Sequence, residues 1–195
     1  MTGENTPPRT LRPVEAGPGV LVHPTASRRL ATEQWLASAH IESPAQARRD
    51  WRRTGVALLA LGTLFSAVRI PLRLALAPIG GVRPSAEADA FLAQVLEDGP
   101  VICHPAGRRY YALVPASMPT TWHQAADEWR TDEVDCLGRD TYLGVPRLDR
   151  TCLETASLDS YWSVPMTSMG SLCAPLAVAR LIAAGKHALA DEDVL

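Results

Sequence analysis

The chain is poor in lysine and has no excess of positive charge. Lys186 is the single lysine, and the formal net charge of the 195 residues is −2. A protein without a global basic field is not drawn onto nucleic acid by its net charge. The other basic residues are arginines, and alanine, leucine and proline are abundant, which is typical of a high-GC genome such as that of an actinobacterium. Arginine content alone is therefore no evidence for phosphate contacts.

Long apolar runs and targeting patterns are missing as well. The most apolar region, 55–79, is interrupted by two arginines and two prolines, so no stretch of eighteen apolar residues is available to span a membrane. The N-terminus lacks a basic segment followed by an apolar one, which argues against a secretory signal. We expect a cytoplasmic protein with no membrane partner, whose oligomeric state the sequence leaves open.

Several common catalytic and metal-binding motifs are absent. No Cys-x-x-Cys pair and no histidine in zinc-finger spacing accompany the four cysteines, Cys103, Cys136, Cys152 and Cys173. A structural zinc site is therefore not expected. We expect the cysteines to be buried free thiols instead. There is no Walker loop, Gly-x-Gly-x-x-Gly, His-Glu-x-x-His or Gly-x-Ser-x-Gly. His104 adjoins Cys103, but neighbours on a strand face opposite ways and cannot form a catalytic pair.

The length and composition suit one domain with tails. Residues 1–26 carry five prolines and no periodicity, which predicts a disordered or draped arm. A single domain is expected over 27–187, followed by a frayed acidic tail over 188–195. No internal repeat is visible.

The order of the predicted elements favours an α+β fold, with a mixed or antiparallel sheet flanked by helices. Helix 44–53 has the strongest signals, because Ser43 is a good N-cap and Pro44 suits the first helical position. A further helix follows Ser85, and three others are predicted at 27–40, 121–130 and 171–184, the last ending at Gly185. Strands are predicted at 56–61, 64–70, 101–104, 109–114, 133–137, 141–145 and 161–164.

The segment that starts at Ser43 resembles a known catalytic domain. It reads Ser-Pro-Ala-Gln-Ala-Arg-Arg-Asp-Trp-Arg-Arg, then Gly-Val-Ala from Gly55, then an apolar run that ends in Val68-Arg69-Ile70-Pro71. It is similar to bacterial bifunctional primase–polymerase domains of the archaeo-eukaryotic primase superfamily. In those domains Ser/Thr-Asp-Pro, an Arg/Trp-rich helix and Gly-Val-Ala precede a strand with a metal-binding Asp-x-Asp. Here that strand offers Arg69 and Pro71.

Two later segments extend the resemblance to about Pro165. Segment 106–115, Ala-Gly-Arg-Arg-Tyr-Tyr-Ala-Leu-Val-Pro, resembles the family's Gly-Gly-x-His-x-Tyr/Phe strand, with Arg109 at the position of the histidine. Segment 134–146 resembles the Asp-x-Arg-Gly…Tyr-Val-Val-Ala-Pro stretch, in which Asp135 matches a metal-binding acid. Segment 61–71 looks most like degenerate, standalone relatives of this domain from actinobacteria.

The resemblance implies a primase–polymerase-like protein without catalytic residues. Two-metal phosphoryl transfer needs several carboxylates, whereas an arginine repels a dication and binds phosphate directly. We therefore expect a cofactor-free accessory protein of DNA replication or of mobile elements, with nucleic acid or nucleotide as its ligand and replication proteins as further partners. The predicted phosphate-binding residues form two groups. Arg69, Arg108 and Arg109 lie in the vestigial nucleotide pocket that the resemblance implies, and Arg48, Arg49 and Arg52 lie on helix 44–53. Asp135 is a candidate residual metal ligand.

Other interpretations stay open at this point. Acids among Asp132, Glu133, Asp135 and Asp140 could bind Mg²⁺ or Mn²⁺ and support primer synthesis, or they are surface charge around a turn. The helix arginines could form a solvated face with Trp51 in the core. Arg108 and Arg109 would point to opposite faces of a strand. A third function is a protein-interaction module in which the pocket has become packing.

Overall fold

The computed structural model describes residues 14–17, 20–22, 25–153 and 158–192. The helices are α1 Thr25–Ala37, α2 Pro44–Thr54, α3 Leu72–Leu76, α4 Ala86–Val95, α5 Met118–Thr121, α6 His123–Trp129 and α7 Pro175–Glu192. The strands are β1 Val14–Gly17, β2 Val20–Val22, β3 Val56–Ala60, β4 Phe65–Pro71, β5 Val101–His104, β6 Arg109–Pro115, β7 Asp135–Leu137, β8 Tyr142–Pro146 and β9 Tyr161–Val164.

Side-chain caps fix where two of the helices begin. The Ser43 hydroxyl accepts a hydrogen bond from the amide of Gln46 (3.2 Å) at the start of α2, and Ser85 accepts one from Ala88 (3.1 Å) at the start of α4. Both bonds satisfy amides that have no partner inside the helix. α2 ends at Gly55, whose φ of 77° lies in the left-handed region that glycine adopts without strain.

The strands form antiparallel sheets, and the fold is α+β as the sequence predicts. The large sheet has the strand order β7-β4-β6-β5-β9, and each neighbouring pair is antiparallel. β3 pairs with β8 in a separate two-stranded sheet, and β1 pairs with β2. None of the described helices has the length and apolar character needed to cross a bilayer.

The large sheet separates two hydrophobic cores. One core packs α3, α4 and α7 against one face through side chains such as Val68, Ala112 and Ile182. The other core packs α1, α2 and the small sheet against the opposite face through Phe65 and Trp162 among others. Because both cores use the same sheet as a wall, the elements from α1 to α7 form one packed unit.

Tryptophan side chains tie the small sheet into the second core. Trp51 of α2 donates to the carbonyl of Val145 (2.9 Å), and Trp162 of β9 donates to the carbonyl of Pro146 (3.1 Å). Trp51 is 3% exposed and is therefore a core residue. This agrees with the interpretation of helix 44–53 in which the arginines form a solvated face and Trp51 packs in the core. Tyr142 differs from the other aromatic residues of the later strands, because it is 45% exposed on the small sheet.

The C-terminal helix is where the sequence prediction is wrong. α7 runs through Gly185 to Glu192, so residues 188–192 are helical rather than a frayed tail. Gly185 is a packing residue: a Cβ at this position would lie 2.2 Å from the carbonyl oxygen of Leu74 in α3. Glycine here allows two helices to approach closely and does not terminate one.

Two other differences concern segments that carry little periodic signal. The sequence pattern does not predict α3, because Leu72–Leu76 continues an apolar run that also fits a strand. In the predicted N-terminal arm, β1 and β2 pair and α1 begins at Thr25, two residues before the predicted start. The rest of the arm, 1–13, 18–19 and 23–24, lies outside the described residues, as does 193–195 of the tail.

Candidate functional site

One face of the large sheet changes from apolar to polar along its length. On β4, Phe65 and Ala67 are buried under the small sheet, whereas Arg69, two residues further on the same face, has a side chain that is 39% exposed. On β6, Leu113 is buried and Tyr111 is half-buried on that same face. The small sheet therefore covers one end of this face and leaves the other end partly open.

The strand register brings Arg69, Asp135 and Tyr111 side by side. Arg69 of β4 pairs with Asp135 of β7 on one side and with Tyr111 of β6 on the other. Its Nε donates to Asp135 Oδ2 (3.0 Å), and a terminal nitrogen of the guanidinium donates to the same oxygen. Arg109, at the start of β6, lies 3.7 Å from the carboxylate of Glu133. Two arginine–carboxylate pairs thus lie at this end of the sheet.

This arrangement does not suit a divalent cation. Asp135 and Glu133 each face an arginine, and Asp132 is held by Lys186 (2.8 Å). Within the described part of the chain, no three histidine, cysteine or acidic side chains converge in a way that could hold a metal ion. Mg²⁺ demands several oxygen ligands in near-octahedral geometry, and the positive charge of Arg69 opposes it. The donor set fits an anion better.

A cavity of about 490 Å³ is lined by the strand partners of the two arginines, Tyr111 for Arg69 and His104 for Arg109, and not by the arginines themselves. It lies between the partly open end of the sheet, the small sheet and the segment 158–160, and its volume is in the range of small-molecule pockets, roughly 300–1,000 Å³. His104 and Ser160 line it and are hydrogen-bonded to each other, with Nδ1 and Oγ 2.8 Å apart. Tyr111 adds an aromatic ring, and the apolar lining includes Val56, Ile102 and Leu143.

The predicted pocket residues separate into two places. Arg69, Arg109 and Asp135 lie together at the partly open end of the sheet. Arg108 does not alternate with Arg109 on a strand, because it belongs to the turn before β6 and has a φ of 50°. It lines a second, smaller groove together with Arg73 of α3.

The three arginines predicted on helix α2 line neither cavity. Arg48 lies 3.3 Å from a carboxylate oxygen of Glu33 in α1, and Arg49 donates to the side chain of Gln46 (2.8 Å) within α2. Arg52 is exposed. The cavity and the partly open sheet end with Arg69 and Arg109 together form a cleft. The α2 arginines form a surface separate from this cleft.

Sequence reasoning does not identify His104 and Ser160 as site residues. The sequence neighbour of His104 is Cys103. The Cys103 side chain points to the opposite face of the strand and is fully buried. Desolvation raises the pKa of its thiol to about 12. The predicted hairpin of strands 101–104 and 109–114 is a sequence signal that could have placed His104 in the site, because it pairs His104 with Arg109. Ser160 offers no signal, since its contact with His104 spans 56 residues.

Comparisons with known proteins identify no relative. No family model matches the chain, and no curated protein or solved structure matches it at a significant level. The likeness to primase–polymerase domains therefore stays a prediction from the sequence segments.

Proposed function

We propose that this is a cytoplasmic, non-catalytic protein of primase–polymerase-like ancestry that binds a nucleotide or nucleic acid, as an accessory in DNA replication or mobile-element maintenance. The observation that carries the proposal is the position of Arg69. It pairs with Tyr111, which lines the cavity, it lies on the strand where the resemblance expects metal-binding acids, and it already holds a carboxylate. A guanidinium that binds a carboxylate through two nitrogens presents the same donors to a phosphate.

Asp135 sets the strength of such binding. A ligand phosphate has to compete with the Asp135 carboxylate for Arg69, and with Glu133 for Arg109. Both pairs are partly exposed, so solvent screens them and displacement costs little. We expect moderate affinity that falls as salt concentration rises.

The cavity supplies a place for the base. The ring of Tyr111 is a surface on which a base can stack, and the His104–Ser160 pair offers polar atoms to the base edge or sugar. Phosphates would then extend toward Arg69 and Arg109. In this role the protein needs no metal ion.

Equilibrium binding of a fluorescent nucleotide tests the proposal. We expect binding in the presence of EDTA, weakened about ten- to hundred-fold by Arg69→Gln, because charge-assisted hydrogen bonds contribute roughly 1.5–3 kcal/mol each. Arg180→Gln is the matched control, since Arg180 is exposed on α7 and lines neither cavity. Thermal unfolding of each variant checks that the fold is retained.

Two outcomes favour the other functions. Primer extension that depends on Mg²⁺ or Mn²⁺ and disappears in Asp135→Ala would make the protein an active polymerase. If the protein binds neither nucleotide nor DNA at low salt, the pocket is packing and an interaction module is the better description.

A further inference from the structure

A second groove lies at the same end of the large sheet, on the side of α3. It measures about 110 Å³ and is lined by Arg73 and Arg108 together with Leu72, Gly80, Val82 and Leu189 among others. This volume is below that of pockets that enclose a whole small molecule, roughly 300–1,000 Å³. The groove is therefore suited to one group of a larger ligand.

The two arginines of this groove differ from those of the cleft in their partners. Arg69 and Arg109 each face a carboxylate, whereas Arg73 and Arg108 make no ion pair among the described residues. Asp191 of α7, two residues after the groove residue Leu189, lies 3.7 Å from His187 of the same helix. Within the part of the chain that the structure describes, the groove thus combines two arginines that have no carboxylate partner.

The guanidinium groups are the anion-recognising groups here. The amides of Gly80 and Gly81 are already bonded to the carbonyls of Ala77 (2.9 Å) and Leu76 (3.0 Å). Arginines without a carboxylate partner are free to approach a phosphate without first releasing an anion.

The groove and the cleft lie on opposite faces of the large sheet and adjoin where β4 ends. Pro71, at the end of β4, pairs with Arg109, and the next amide, that of Leu72, donates to the carbonyl of Arg108 (2.9 Å). Arg69 lies two residues before Pro71, and Arg73 two residues after it. The four arginines therefore gather where β4 ends and the 105–108 turn passes it, two on the cleft side and two on the groove side.

We propose that the Arg73–Arg108 groove is a second phosphate site, so that the ligand is a single strand of nucleic acid several nucleotides long rather than a mononucleotide. This inference rests on the proposed function of the cleft. The strand places a base in the cavity and a phosphate on Arg69 and Arg109. Its backbone then crosses the end of β4 and places a further phosphate between Arg73 and Arg108.

Binding of oligothymidylates of increasing length tests the inference, with thymidine triphosphate as the mononucleotide. We expect affinity to rise with length until the strand reaches the groove. Arg73→Gln/Arg108→Gln should weaken binding of the longer strands about ten-fold and leave the mononucleotide unaffected. The slope of log K against log salt should become less negative by about 0.7, because the double variant neutralises one phosphate fewer.

The control is Arg28→Gln/Arg180→Gln, which removes the same charge from exposed positions on α1 and α7. Binding that does not depend on length, or a groove variant that binds long strands with unchanged affinity and salt slope, overturns the second site while the cleft stands. Failure of the unsubstituted protein to bind either nucleotide or strand overturns the proposed function, and this inference with it.

Discussion

At the scale of single residues, Asp89 is a half-buried carboxylate that is bound by two hydroxyl groups. It lies on α4 and accepts hydrogen bonds from the hydroxyls of Tyr161 (3.1 Å) and Ser163 in β9. Desolvation by burial raises the pKa of Asp89, and the two hydroxyls partly oppose that rise. The charge is thus costly, while the hydrogen bonds attach α4 to the edge of the large sheet.

Two substitutions separate these effects. Asp89→Ala leaves two hydroxyls without their acceptor and should lower the free energy of unfolding by about 1–3 kcal/mol. Asp89→Asn keeps an acceptor and removes the buried charge, so at neutral pH it should be as stable as the unsubstituted protein or more so. Chemical denaturation measures both. Equal losses in the two variants would mean that the charge itself is needed.

The same residue predicts a pH dependence. Because the folded-state pKa of Asp89 lies above its unfolded value, the folded state binds more protons in that interval, and acidification from neutral pH should make this group less destabilising. The stability advantage of Asp89→Asn should therefore shrink as the pH falls from neutral through the raised folded-state pKa of Asp89 toward the ordinary value of 3.8. An advantage that stays constant over this range would contradict a raised pKa.

Residues of the candidate site are predictable where a sequence segment singles them out, whether their contact is local or, as for Arg69 and Asp135, spans 66 residues. Arg69, Arg109 and Asp135 follow from sequence segments, and antiparallel pairing brings them to one end of the sheet. Arg108 lies outside the predicted pocket because it belongs to the turn before β6, with a φ of 50°, and not to the strand that carries Arg109. The partner of His104, Ser160, comes from a distant segment whose position depends on the whole fold.

At the scale of elements, the contact between α7 and α3 depends on Gly185. Gly185→Ala should lower the free energy of unfolding by about 1–3 kcal/mol, because the added methyl group meets the carbonyl of Leu74. Helix propensity alone predicts the opposite, a gain of about 0.5–1 kcal/mol. Denaturant titration decides between the two signs.

Ala183→Gly is the matched control for this contact. Ala183 is exposed on the same helix, so its replacement should cost only the propensity difference, about 1 kcal/mol. A stabilised Gly185→Ala protein would show that the two helices do not approach as closely as described.

Elements with local signals are predictable, and those defined by distant contacts are not. The caps at Ser43 and Ser85 act within three residues, so the sequence reveals where α2 and α4 begin. In the sequence Gly185 looks like a helix end. A glycine is needed there because the carbonyl of Leu74 approaches closely, and a contact with a residue more than a hundred positions away leaves no local pattern.

At the scale of the whole molecule, the two hydrophobic cores should unfold together. Trp51 and Trp162 report on one core and Trp129 on the other, while the large sheet forms a wall of both. Tryptophan fluorescence and far-ultraviolet circular dichroism should therefore give coincident denaturation curves. Separate midpoints would show that the small sheet with α1 and α2 forms an independent unit.

Nucleotide binding by Asp135→Asn protein in EDTA most directly tests a phosphate site built on arginine. Removing the carboxylate frees Arg69, so affinity should increase about two- to five-fold over the unsubstituted protein, as expected when a partly exposed competing ion pair is removed. If Asp135→Asn instead abolishes binding, and binding by the unsubstituted protein requires Mg²⁺ or Mn²⁺, then Asp135 is a metal ligand and the arginine site is wrong.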